Sequence, residues 1–189
     1  MKIQIILAST RPGRLGKRVA KWVLGVAGTQ PGLDVELVDL RDYALPLFNE
    51  PASPRFNPHR EPEPVVARWL AKVAAADGYL MVTPEYNHSV PGALKNALDY
   101  LDFQLAKKPV AIVSYGSVGG ARAAEHLKGI LIEVKAAVVP EAVAIIGAAN
   151  LIDEHGRYTG DPGQGPAAVL PGVLHELAWW TATLKAGRE

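Results

Sequence analysis

The chain has 189 residues, 49% of them hydrophobic, enough to bury a core without disulfides or metals, and residues 1–189 read as a single domain. Its 20 Lys and Arg against 19 Asp and Glu leave a net charge of +1, so no global field draws in nucleic acid or an acidic membrane surface. The absence of cysteine excludes a disulfide framework, a thiolate metal site and a cysteine nucleophile.

Met1-Lys2 runs directly into an apolar stretch of about five residues, too short for a signal-peptide core or for a span of about 20. A cytoplasmic protein with no membrane partner is expected. Residues 2–8 (KIQIILA) read as a buried strand, ended by Ser9-Thr10-Arg11-Pro12-Gly13. From Arg14 onward Leu15, Val19, Trp22, Val23 and Val26 fall at helical spacing until Gly28 closes the helix. Residues 33–40 predict a second strand and 65–76 a helix with Val66, Leu70 and Val73 on one face. Between them Pro46, Pro51, Pro54, Pro58, Pro62 and Pro64 make residues 41–64 an irregular excursion over the surface.

Residues 78–83 (GYLMVT) predict a third strand that Pro84 ends. Ser89 is placed to cap the next helix, with Pro91 in its first turn and Leu94, Leu98 and Leu101 as its apolar stripe. A fourth strand over 110–115, a glycine-rich loop over 116–120 and a helix over 121–136 follow. The fifth strand, 138–146, is interrupted by Pro140, which points to an irregular entry or an edge position. Residues 147–166 read as irregular. A last helix over 167–185 carries Trp179 and Trp180 in different directions, one of them toward the core or a subunit contact.

Strands alternating with helices predict right-handed crossovers and an α/β architecture, a doubly wound five-stranded parallel sheet with helices on both faces. Ligands of such sheets bind beyond the carboxyl ends of the strands, which directs attention to the loops after strands one, three and four. Loop one, residues 9–18, leads into a helix and carries Arg11, Arg14, Lys17 and Arg18 with no acidic residue. A helix N-terminus offers unpaired N–H groups and the positive end of the macrodipole, so a phosphate is the expected guest. The string is neither a Walker loop nor a G-x-G-x-x-G fingerprint, which disfavours a nucleoside triphosphatase.

Loop three, from Thr83 to Asn96, is stiffened by Pro84 and Pro91 and supplies Tyr86 as an aromatic face and Asn87 as a donor and acceptor, groups suited to a flat heteroaromatic ring. Lys95 and Asp99 read as a surface pair one turn apart. Loop four, residues 114–120, lets backbone approach a ligand closely. The five histidines are scattered without H-E-x-x-H spacing, so no metal site is expected, and His88 reads as a polar loop residue.

Together, TPEYNHSVPGALKNALDYL (83–101) and ASTRPGRLG (8–16) resemble the NADPH-dependent FMN reductase family, a flavodoxin-like family that includes azo, quinone and chromate reductases. The resemblance spans about residues 3–135. It implies FMN as cofactor, with Ser9, Arg11, Arg14, Leu15 and Gly16 around its phosphate. It implies Pro84, Glu85, Tyr86 and Asn87 along the isoalloxazine, partly through backbone atoms, with Ser114, Tyr115 and Gly116 closing the site. Many relatives have a serine where Arg14 stands. The implied chemistry is the flavin's own: hydride from NADPH or NADH, then electrons to a quinone, azo, flavin or metal-oxyanion acceptor, with no catalytic side chain required. A homodimer or homotetramer is implied as well. Two other functions stay open, a flavodoxin-type electron carrier, against which the balanced charge argues, and a transferase or sensor that binds another phosphate ester in the same crevice.

Overall fold

The computed structural model describes residues 1–57 and 59–188; Pro58, one of the prolines of the excursion, lies outside the described residues. Five parallel strands, β1 (Lys2–Leu7), β2 (Asp34–Asp39), β3 (Gly78–Pro84), β4 (Pro109–Gly116) and β5 (Ala137–Ile146), form one sheet in the order β2-β1-β3-β4-β5. The order reverses at β1, so the carboxyl ends of β1 and β3 flank the crevice where a doubly wound sheet takes its ligand.

Alternation along each buried strand sends side chains to two separate cores. Ile6, Tyr79, Met81, Val110 and Ile112 pack with helices α2 (Pro64–Ala74), α3 (Gly92–Asp99) and α4 (Ala121–Glu133) on one face. Ile3, Ile5, Leu7, Leu80, Val82, Ala111 and Val113 pack with α1 (Gly16–Ala27) and α6 (Gly165–Ala186) on the other. On α2 the innermost residue between Val66 and Val73 is Trp69, not Leu70; its indole Nε1–H donates to the carbonyl of Ala97 at 2.8 Å and ties α2 to α3.

Pro140 sits where the sequence placed it, on an edge strand. Val110 pairs with Val138 and Ile112 with Ala142, so the ladder shifts register around a residue that cannot donate to it. The excursion contains two short 3-10 turns, Leu40–Asp42 and Pro54–Phe56. The stretch after β5 is more regular than the sequence predicts. It holds the short helix α5 (Ala148–Leu151) and an Ile152–Tyr158 bridge that stacks Tyr158 on Trp22 of α1 at 5.5 Å.

Ser89 does not cap α3. Tyr86 and Ser89 exchange backbone hydrogen bonds of 2.8 and 3.0 Å around Asn87 and His88, both at positive φ, and this tight turn consumes the residue before the helix can begin. Pro91 is the residue before the first turn of α3, and no side chain caps it. Trp179 is 62% exposed and Trp180 is half-buried with its Nε1–H on Glu176, so neither enters the core.

Candidate functional site

Loops one, three and four meet at the carboxyl ends of β1, β3 and β4 and enclose a cleft of about 330 Å³ lined by loop-one residues, by Pro84, Glu85 and Tyr86, and by Tyr115 and Gly116. Of the residues named from the sequence, Ser9, Arg11, Arg14, Leu15, Pro84, Glu85, Tyr86, Tyr115 and Gly116 line it, whereas Gly16, Asn87 and Ser114 do not.

The three outside that lining also shape its surroundings. A Cβ on Gly16 would stand 2.4 Å from the Tyr115 hydroxyl, so Gly16 makes room for that phenol at the start of α1. Asn87 is exposed at the tip of the turn with φ 49, in the left-handed region that the turn uses. Ser114 is fully buried in β4 and donates its Oγ hydrogen to the carbonyl of Gly119 at 2.8 Å. That bond folds loop four tightly enough that Gly120, at φ 75, has no room for a Cβ: it would meet the Tyr115 nitrogen at 2.7 Å.

At the loop-one end, no side chain caps α1 and its first turn holds no acidic residue, so its leading N–H groups are uncompensated by the protein. Arg14 lies beside them with a side chain only 6% exposed. One Nη pairs with Asp39 at the end of β2, and Asp39 also accepts the Arg41 backbone N–H at 3.0 Å. The Nε and the other Nη of Arg14 are buried and have no hydrogen-bond partner. Two orphaned donors on a buried cation are costly, and such groups call for an acceptor that the chain itself does not provide. Arg11 is exposed, its guanidinium 5.6 Å from the centre of the Tyr86 ring.

At the other end, the Tyr86 hydroxyl lies 2.8 Å from Ser9 Oγ and spans the cleft from loop three to loop one. Burial raises the pKa of the Tyr115 phenol, which keeps it protonated and uncharged. Glu85 turns its carboxylate away, accepting from the backbone N–H of Arg122 at 3.1 Å and from its Nε at 2.6 Å. The hydrogen bond to Arg122 is the main cause holding the Glu85 pKa below its ordinary value. A loop-three acid thereby supplies α4 with the negative charge its own first turn lacks, and loop three is locked to loop four. Neither Asp39 nor Arg122 was marked by the sequence pattern. His88 is exposed, Lys95 and Asp99 form the expected surface pair at 2.6 Å, and among the described residues no group of three His, Asp or Glu is placed to hold a metal ion.

Residues 1–150 match the NADPH-dependent FMN reductase family. An NAD(P)H-dependent FMN reductase of Schizosaccharomyces pombe is 38% identical over 144 residues, which cover 76% of this chain and 72% of that protein. A quinone reductase of Escherichia coli is 37% identical over 147 residues, 73% of this chain and 74% of that one. Among solved structures, the flavoenzyme NAD(P)H:(acceptor) oxidoreductase FerB from Paracoccus denitrificans superposes with a TM-score of 0.76 and 27% identity, covering 96% of this chain and 97% of that chain. With a family match over 150 of its 189 residues and relatives of this similarity, the chain belongs to the NADPH-dependent FMN reductase family.

Proposed function

We propose that this cleft is where the family's chemistry takes place, with the phosphate of FMN on loop one and its ring between loops three and four. The observation that carries the assignment is Arg14: two buried guanidinium donors without acceptors, beside an uncapped helix N-terminus. A phosphate dianion supplies what both lack, charge-assisted acceptors for the Arg14 N–H groups and negative charge for the helix end. Ser9 Oγ and the Arg11 guanidinium are the further donors of the phosphate end. Pro84, Glu85, Tyr86, Tyr115 and Gly116 form the walls for the ring.

The bound flavin supplies the redox chemistry, accepting hydride from NADPH or NADH and returning the electrons to a small-molecule acceptor. What the chain contributes is placement. Tyr115 stays neutral, and Glu85 is committed to Arg122, so the one acid in the cleft wall is occupied as a brace and the ring end is left uncharged. A side chain acting as general acid or base is not part of this reading. One domain working in the cytoplasm as a homodimer or homotetramer, with neither nucleic acid nor membrane as partner, belongs to the same proposal. The balanced charge supports the part of it that concerns nucleic acid, and no helix among the described residues is long and apolar enough to cross a membrane.

A fluorescence titration tests the placement. FMN should bind at least about a hundredfold more tightly than riboflavin, because the phosphate makes two or more charge-assisted hydrogen bonds of roughly 1.5–3 kcal/mol each. Equal affinities would remove the phosphate from loop one. Since amides, a hydroxyl and arginines hold the anion, activity should also survive exhaustive EDTA treatment. Loss of activity that only a divalent metal restores would contradict this account.

A further inference from the structure

Four of the helices turn charged side chains to solvent: Lys17 and Lys21 on α1, Arg68 on α2, Lys95 on α3, Glu125 and Glu133 on α4. A helix with one wet side ordinarily does so. The long helix α6 does not. Its 22 residues include only two charged side chains, Glu176 and Lys185. Both are half-buried and engaged, Glu176 by Trp180 Nε1 at 3.2 Å and Lys185 by Asp77 at 3.1 Å. The exposed residues Ala168, Gly172, His175, Trp179, Ala182 and Ala186 instead recur in alternating steps of four and three, the spacing of a coiled-coil seam. They form one stripe about 27 Å long at 1.5 Å per residue.

The stripe is uneven. Trp179 is 62% exposed, and nothing lies within 4 Å of the place where a Cβ on Gly172 would stand. A knob and a hollow thus sit about two turns apart on the same helix. Laid antiparallel on a second copy, with a two-fold axis level with Val173 and Leu174, each Trp179 meets Ala168 of the other copy and each His175 meets Gly172. Every bulky residue then faces a small one, and one patch serves both sides, as a two-fold interface requires. A parallel pairing would set Trp179 against Trp179 and leave the small end unfilled. Because the stripe holds no carboxylate, ammonium or guanidinium, no such charge has to be stripped of water when the copies meet.

We infer that α6 docks antiparallel against α6 of a second copy of this chain, with Trp179 of each seated in the small-residue end of the other. The cleft is lined from loops one, three and four, so the inference is independent of the flavin placement proposed above.

Sedimentation velocity of the full chain over a concentration series tests it. Trp179→Glu should weaken self-association roughly thirtyfold or more, as truncation of a central interface tryptophan does. Its circular dichroism and FMN dissociation constant should match those of the wild-type protein, because the position is exposed and outside the cleft. Gly172→Trp separates fit from mere stickiness. The substitution adds apolar surface where the helix has room for it, yet it fills the hollow, so self-association should fall about tenfold. Equal association of the wild-type and Trp179→Glu proteins overturns the inference, and so does association of Gly172→Trp as strong as that of the wild type or stronger. Flotation with vesicles of phosphatidylcholine and phosphatidylglycerol covers the competing occupant: wild-type binding that Trp179→Glu abolishes, at unchanged association state, would make the face a membrane contact and would equally overturn it. Failure of the flavin reading has a different signature, no tight FMN binding by the wild-type protein.

Discussion

Arg14→Ala is expected to weaken FMN binding by a factor of a hundred or more while riboflavin affinity stays near its starting value. Removal of the guanidinium deletes the two donors that have no partner within the chain. At roughly 1.5–3 kcal/mol for each charge-assisted bond, their loss corresponds to a factor between about 10² and 10⁴ in the dissociation constant. A second effect has the same sign. Asp39, which pairs with Arg14, would be left as an uncompensated carboxylate beside the incoming phosphate. Arg14→Ala/Asp39→Asn should therefore recover part of the loss, and Arg14→Lys should not recover all of it, because a point ammonium cannot reproduce the planar fork. Arg11→Ala is expected to cost less, since that guanidinium is exposed and already rests over the Tyr86 ring. Titration by flavin-fluorescence quenching reads all of these variants. Equal losses of FMN and riboflavin affinity in Arg14→Ala would mean that Arg14 supports the loop rather than the anion.

Arg60→Ala should produce a large loss of stability although it lies outside the cleft. The Arg60 side chain is 7% exposed and is bonded at every branch. Its Nε reaches Glu50 at 2.9 Å, one Nη reaches Asp102 at 3.2 Å, and the other donates to the carbonyl of Tyr100 at 2.6 Å. This one residue fastens the proline-rich excursion to the end of α3. Its removal strands two poorly exposed carboxylates and an unpaired carbonyl, and breaking such a buried pair costs about 3–5 kcal/mol. Urea unfolding should show a lower midpoint with little change in slope. Arg60→Met combined with Glu50→Gln and Asp102→Asn should lose much less, because no charge is then left without a partner. If the triple variant is as unstable as Arg60→Ala, packing rather than charge explains the loss.

The strands were legible because each is a short run with buried apolar residues between turn residues, and the helices between them carry an apolar stripe. Pro140 was legible as an edge residue because a missing N–H has few permitted places in a sheet. Ser89 misled, since serine before a helix is a good cap. The deciding fact was two consecutive positive φ angles at Asn87 and His88, residue types that tolerate the left-handed region without demanding it. On α2 the apolar stripe was right and its centre was one residue off. The cleft's own wall, such as Arg14, Tyr86 and Tyr115, came from local strings. Its braces could not, because Asp39 and Arg122 stand 25 and 37 residues from Arg14 and Glu85, and only the strand order brings them together.

With FMN held in this cleft, hydride from NAD(P)H is expected to reach the flavin before any acceptor arrives. Anaerobic rapid mixing of the FMN-loaded protein with NAD(P)H, in the absence of acceptor, reads this order of events. The oxidised-flavin absorbance should bleach in a single turnover, at a rate no slower than kcat with acceptor present. Steady-state plots at several fixed acceptor concentrations should then be parallel. A flavin that stays oxidised until an acceptor is added would contradict the account, since the cleft would then hold its cofactor without reducing it.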